Sequence, residues 1–323
     1  MSWNRRSFLG MAGATVAGGW FIGAGERRSG DKIRVLIVTG QNNHDWKRTT
    51  PFMEQILNEA DRFQVSISTS PPSGAERSEW DAWQPEFPEY DVVLSDYNGQ
   101  MWPDRVREQF VKFVDEGGRV LIQHAANNAF PGWQEYEEMV GLLWRGAGEG
   151  TRLYLDEAGR EVREPAGEGI GAGHGGLHDW AITTPNESHP IFRDLPLSWL
   201  HAHDELYHGQ RGPVGNLNLL ATALSSRNSG GTGWHEPMVW WVPYGNGKVL
   251  TFLPGHLWSG QQDTRAFRCV GFRCLLQRCC QWLAAEEVDI PIPDPFPTAE
   301  EAMVVPDYSS ACCIPRRWMC DIC

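Results

Sequence analysis

Short apolar, β-branched runs alternate with amphipathic stretches through the first half of the chain. Ile33 to Thr39, residues 63–69, 91–95 and 119–123 read as strands. Residues 49–60 and 104–116 carry apolar side chains at helical spacing, and Gly117-Gly118 supplies a glycine stop after the second of these helices. This βα rhythm predicts an α/β fold, a doubly wound and mostly parallel sheet with helices on both faces. A short helix over 133–141 ends the regular part. A Gly-rich segment, 146–176, interrupts the rhythm, and Leu153-Tyr154-Leu155 and Glu161-Val162 flank a turn at Glu157-Ala158-Gly159. That pattern predicts an inserted hairpin laid over the carboxyl edge of the sheet, where it would act as a lid. Strand-like runs return at 180–184, 217–224, 237–242 and 248–253, a weaker one spans 199–203, and a last helix is expected over 264–284.

Four polar fragments lie just past the ends of apolar runs: His44-Asp45-Trp46, His124-Ala125-Ala126-Asn127, Asp204-Glu205-Leu206-Tyr207 and Pro254-Gly255-His256. Carboxyl ends of parallel strands share one edge, so side chains placed there converge although the sequence separates them. Three imidazoles and a carboxylate, His44, His124, Glu205 and His256, form the donor set of an open site for a divalent transition metal such as zinc or manganese. A histidine at a strand end also serves as a hydrogen-bonded tie between loops, but four such positions together weigh toward a site. His203 is the reserve ligand, because a strand over 199–205 would set His201, His203 and Glu205 on one face. Asp204, Tyr207 and Asp45 are the candidate proton-transfer groups. Trp46, Tyr97, Asn98, Asn127 and His178 are the candidate contacts to substrate hydroxyls and rings.

Composition narrows the function classes. A formal net charge of −13 with no basic stripe argues against nucleic acid. No glycine loop joins a strand to a helix, so no nucleotide cofactor is expected. No cysteine precedes Cys269 and no Gly-x-Ser-x-Gly elbow occurs, which removes thiol and serine acyl transfer at these turns. Cys269, Cys274, Cys279 and Cys280 read as small apolar residues of the last helix; Cys312, Cys313, Cys320 and Cys323 leave disulfide, soft-metal and dispensable-tail readings open.

Three segments are expected: an export signal over 1–30, an α/β domain over 31–285, and a proline-rich acidic tail with a Cys-rich end over 286–323. Arg5-Arg6-Ser7-Phe8-Leu9, followed by the small and apolar run from Gly10 to Gly25, resembles a twin-arginine signal, which implies a periplasmic or extracytoplasmic protein. Contact with a membrane is expected only through an uncleaved signal.

Taken in order, Tyr90-Asp91-Val92-Val93, the run Gly117 to Ala126, His189-Pro190-Ile191, Asp204-Glu205-Leu206-Tyr207, Gly247-Lys248-Val249 and Pro254-Gly255-His256 resemble the ThuA-like (trehalose-utilisation) proteins. The resemblance runs from about Ile33 to Ala285 and implies a flavodoxin-like fold of the class I glutamine amidotransferase-like kind. Members of that superfold place a cysteine nucleophile where this chain has Gln123-His124. It further implies a role in disaccharide or glycoside processing, around 3-keto-sugars and beside a partner sugar dehydrogenase. Two functions stay open: a metal-assisted enzyme on a small carbohydrate, by isomerisation, elimination or hydrolysis, and a non-catalytic carbohydrate-binding accessory protein.

Overall fold

In the computed structural model the described residues are 31–184 and 188–307, and those from Lys32 on form one compact unit. The twin-arginine motif and the last four cysteines lie outside the described residues. Among those described, no helix is long and apolar enough to cross a membrane.

The chain runs β1 (Ile33–Thr39), α1 (Trp46–Glu59), β2 (Phe63–Thr69), α2 (Arg77–Ala82), β3 (Val92–Ser95), α3 (Asp104–Asp115), β4 (Arg119–Gln123) and α4 (Gln134–Val140). The middle third holds β5 (Thr151–Leu155), β6 (Glu161–Glu164), β7 (Gly173–His174), β8 (His178–Thr183), β9 (Ser198–Asp204), β10 (Tyr207–His208) and β11 (Arg211–Gly212). It closes with β12 (Asn218–Leu224), β13 (His235–Tyr244), β14 (Gly247–Phe252), α5 (Arg265–Arg268) and α6 (Val270–Ala285).

The main sheet runs β2-β1-β3-β4-β14-β13-β12-β8-β9. Its first five strands are parallel, in the order of a flavodoxin-like sheet, and the strand order reverses between β1 and β3, where such folds open a crevice. The alternation of β1 shows why both faces are covered. Val35 and Ile37 enter the core beneath α1 and α6, whereas Leu36 and Val38 enter the core beneath α3 and α4. Strands β13, β12, β8 and β9 extend this sheet antiparallel. β5 and β6 pair antiparallel, β11 pairs on the other side of β5, and β5 joins the main sheet through Leu155 opposite His235 of β13.

Two stretches differ from the sequence pattern. The expected single last helix is two, because Cys269 is extended (φ −62°, ψ 124°) and pairs with Val304. The segment after α6 folds back onto that break: Val270 N–H donates to Met303 O at 2.8 Å, and Arg278 binds the carbonyl of buried Ile290. Cys269, Cys274, Cys279 and Cys280 are buried free thiols.

Asp96 follows β3 and ties the β1–α1 loop to the sheet. Its Oδ2 accepts from the hydroxyls of Thr49 (2.7 Å) and Thr50 (2.8 Å), and its Oδ1 from Asn42 Nδ2 (3.3 Å). Burial lifts its pKa to about 7, even though those hydrogen bonds favour the anion. The folded chain therefore holds this proton more tightly than the unfolded one. Its contribution to stability is greatest below about pH 4 and declines as pH rises toward 7. We expect Asp96→Asn to flatten the pH dependence of urea midpoints between pH 4 and 7; an unchanged slope would show that Asp96 does not titrate there.

Candidate metal centre

Each of the four groups reaches the site by its own turn. His44 lies in the loop after β1, where its backbone N–H donates to Asn42 Oδ1 at 3.0 Å and the next residue, Asp45, donates to Leu257 O at 2.9 Å. His124 begins a short 3₁₀ turn straight after β4 with φ +39°, a left-handed conformation that costs a non-glycine residue free energy. His256 follows Gly255, whose φ is +109° and whose added Cβ would lie 2.6 Å from Gln123 Nε2 and 2.8 Å from the Phe272 ring. Only glycine fits that turn.

Glu205 arrives by a different route. It follows β9, four strands beyond β14 in the sheet order, yet Asp204 meets the backbone of Gly255 and His256. The antiparallel half therefore returns over the carboxyl edge of β14. Which side chain points inward is decided by a bulge: β9 takes three residue steps from His201 to Asp204 against two in β8 from Trp180 to His178. His203 has φ +40°, which breaks the two-residue alternation. As a result His203 faces Asp263 (3.7 Å) and is no part of the cluster, which corrects its assignment as reserve ligand.

His44, His124, Glu205 and His256 offer ligand atoms that all lie within 4.8 Å of one another, and all four are buried. His44 Nε2 is 3.0 Å from His256 Nδ1, which is also 3.0 Å from Glu205 Oε2. His124 Nδ1 lies 2.6 Å from Leu253 O, and donation there leaves the Nε2 lone pair free. That Nε2 is buried with no hydrogen-bond partner among the described residues. Asn43 Oδ1, 3.2 Å from His44 Nδ1, fixes His44 the same way. Burial, then the neighbouring His124 and His256, pushes the His44 pKa far below its ordinary value. Burial and then His256 bring His124 to about 4. Both rings are thus neutral, as metal ligation requires. An acceptor-rich set with an orphaned buried nitrogen fits a metal ion, and these four residues can hold one.

The surrounding shell is specific. Trp258 stacks on His44 with ring centroids 4.4 Å apart, donates Nε1–H to Glu205 Oε1 (3.2 Å), and is 40 % exposed. His174, on β7, places Nδ1 3.4 Å from the same Glu205 oxygen with 37 % of its side chain exposed, so it stands at the mouth. Tyr207 lies against His124 (4.4 Å) and Trp144 (4.5 Å). Burial, then Glu205 and Asp204, raises its pKa well above 10, so the hydroxyl keeps its proton.

Asp204 is fully enclosed. Its Oδ1 accepts from the backbone N–H of Glu205 (2.8 Å) and His256 (2.9 Å), and its Oδ2 from Gly255 N–H and from His201 Nε2, both at 2.7 Å. Burial alone would raise this carboxyl, but the hydrogen bond and charge of His201 hold it below the usual carboxylate range. Burial disfavours the His201 cation, and the hydrogen bonds to Asp204 and Cys269 outweigh it, lifting its pKa to about 10.

Other sequence candidates fall elsewhere. Tyr97 is fully buried among Trp102 and Phe130 and donates its hydroxyl to Gln100 O (2.8 Å), so it is core and not a substrate contact. Asn127 is likewise enclosed and donates to Leu142 O (2.6 Å), a loop tie. The Asp45 carboxylate stands 3.8 Å from Arg48. Trp46 opens α1, half-buried, with Lys47 over its ring at 5.8 Å. Asn98 donates to Asn43 Oδ1 (2.6 Å) and so backs the His44 support. His178 turns Nδ1 to Gly176 O (2.8 Å) and buries an Nε2 with no partner among the described residues. Trp258 was not among the sequence candidates; its place two residues past His256, at the same strand end, was the available signal.

The profile of the ThuA family, described as trehalose utilisation, matches residues 34–283. A crystal structure of a ThuA-like protein from Parabacteroides merdae is 35 % identical, with a TM-score of 0.80 over 85 % of this chain and 98 % of that one. A ThuA-like protein from Bacteroides uniformis is 18 % identical, with a TM-score of 0.52 over 82 % of this chain and 97 % of that one, and shares the fold. Among curated proteins no match is found.

Proposed function

The chain belongs to the ThuA, trehalose-utilisation family, and from that premise we propose that it is an exported, metal-assisted enzyme acting on a 3-keto-glycoside. The observation that carries the reading is the buried convergence of three imidazoles and one carboxylate, with free lone pairs, behind a partly exposed tryptophan. What a zinc or manganese ion supplies when bound there is Lewis-acid polarisation of a ketone oxygen, which acidifies the neighbouring C–H.

The chain's own residues do the rest. Trp258 offers its open indole as a platform for the apolar face of a sugar ring. His174, at the mouth beside Glu205, accepts the proton from the carbon next to the ketone. Tyr207, held protonated, donates to the leaving glycosidic oxygen in elimination, or to the next carbon in isomerisation. Asp204 is a positioning residue, not the proton-transfer group its sequence position suggests, because all its hydrogen bonds are already committed to holding Gly255, His256, Glu205 and His201. The β5–β6 hairpin closes over the carboxyl edge as a lid. Export follows from the twin-arginine-like run at Arg5-Arg6, and a sugar dehydrogenase would supply the ketone.

The test is turnover of a 3-keto-glucoside by zinc- or manganese-loaded protein, with Tyr207→Phe beside it. We expect release of the leaving alcohol, slowed roughly 10²-fold or more in the variant, the size of a general-acid contribution. The exposed Trp258 also favours a binding module, the second reading. Saturable binding of the glycoside with no turnover under any metal would establish that reading in place of the enzyme.

A further inference from the structure

The β7–β10 ribbon has a second face. Tyr207 and His174 are paired across it and turn toward the metal centre, while the next pair, His208 and Gly173, turns the other way. Behind it lies a cavity of about 390 Å³ whose walls include Arg152, His208, Arg227, Trp234, Ile170 and Thr232, and no carboxylate. In a chain of net charge −13 such a lining stands out. The volume is near the lower end of ligand pockets, which run from ~300 to 1,000 Å³, and suits a single ring.

The walls are held in place. Arg152 is buried, is paired to Glu236 and to Glu164 (3.2 Å), and retains a buried Nε with no partner among the described residues. Glu236 in turn accepts from Gly209 N–H (3.0 Å) and the Thr232 hydroxyl (2.8 Å). His208 is set by Ser225 Oγ, 3.2 Å from its Nδ1. Arg227 lies against Gly233, whose φ of +84° favours glycine. Arg152 and Arg211 share Glu164 and Glu236 as ion-pair partners, whereas Arg227 has no acidic partner among the described residues, so the three guanidinium charges exceed the two carboxylates by one.

We propose that this cavity is a second binding site, for an anionic monosaccharide. Trp234 and Ile170 take the apolar face of the ring, Thr232 and His208 its hydroxyls, and the guanidinium of Arg227, beside that of Arg152, the anionic group. A sugar carboxylate and a sugar phosphate share this chemistry. The site does not rest on the metal reading, since the ribbon separates the two.

The experiment is calorimetric titration of the metal-loaded full chain with glucuronate, glucose 6-phosphate, glucose and benzoate, repeated on chelated protein and on Arg227→Gln and Trp234→Leu. Arg227 is exposed, so its variant folds. We expect one of the sugar anions to bind with and without metal, to weaken at least tenfold in each variant, and to outbind glucose. Whichever anion binds identifies carboxylate or phosphate. The proposal is overturned if glucose binds as well as both anions, if benzoate binds better than either sugar anion, if binding vanishes on chelation while Arg227→Gln leaves it intact, or if nothing binds.

Discussion

The protein purified without chelator is expected to carry about one equivalent of a transition metal, and His124→Ala/His256→Ala to carry less than about a tenth of that, since two of four ligands are gone. Turnover of a 3-keto-glucoside should fall with it. Lewis-acid stabilisation of developing charge is worth several kcal/mol, and about 4 kcal/mol corresponds to roughly a thousandfold in rate. Elemental analysis of both proteins, with and without added zinc or manganese, reads the first effect directly. Thermal melting reads it independently, because an ion that binds only the folded state raises Tm with its concentration, and a chelator should lower the wild-type Tm while leaving the double variant unmoved. A wild type that is metal-free as purified, takes up neither ion and melts unchanged with chelator would remove the metal mechanism and leave the carbohydrate-binding reading.

Asp204→Ala should produce the second largest effect, on two properties together. Its buried carboxylate is the acceptor for three backbone N–H groups and for His201, so truncation strands four donors, one of them a charged ring. Breaking a buried pair of this kind costs about 3–5 kcal/mol, and at roughly 2–4 °C per kcal/mol for a large domain the melting temperature should drop by about 10 °C. Because two of those N–H groups belong to the ligands Glu205 and His256, metal affinity should also fall, by about 10–100-fold, the usual effect of removing an outer-shell partner. Asp204→Asn, which keeps the shape, should show the same two losses in smaller measure. Arg278→Met is the control: it strips carbonyl partners from Ile191 and Ile290 in the core behind α6, and should destabilise without changing metal affinity. Equal metal affinity in Asp204→Asn and wild type would make Asp204 a purely structural residue.

The parallel half of the sheet was legible from the sequence because its information is local. An apolar run with β-branched residues and a glycine stop announces a strand or helix wherever it sits, and βαβ connectivity then forces the carboxyl ends of β1 and β4 onto one edge, which β14, entering from an antiparallel pair with β13, shares by lying parallel to β4. That was enough to select His44, His124 and His256. Glu205 was selected for an incomplete reason: its strand is an outer antiparallel one, and it reaches the cluster because that half of the sheet returns over the edge.

What only the tertiary structure decided is how neighbouring polar residues divide their roles. His201, His203, Asp204 and Glu205 are close in sequence and chemically equivalent as candidates, yet a single bulge with a left-handed His203 sends His203 to Asp263, Asp204 inward as a clamp and Glu205 to the histidine cluster. Tyr97 and Asn127 show the same limit from the other side. Their types and strand-end positions suit substrate binding, but the aromatic packing around Tyr97 and the carbonyl of Leu142 opposite Asn127 come from distant segments. Periodicity determines which backbone forms and which edge it ends on; the direction of each polar side chain there is set by long-range contacts and by one backbone torsion, and neither leaves a periodic trace in the sequence.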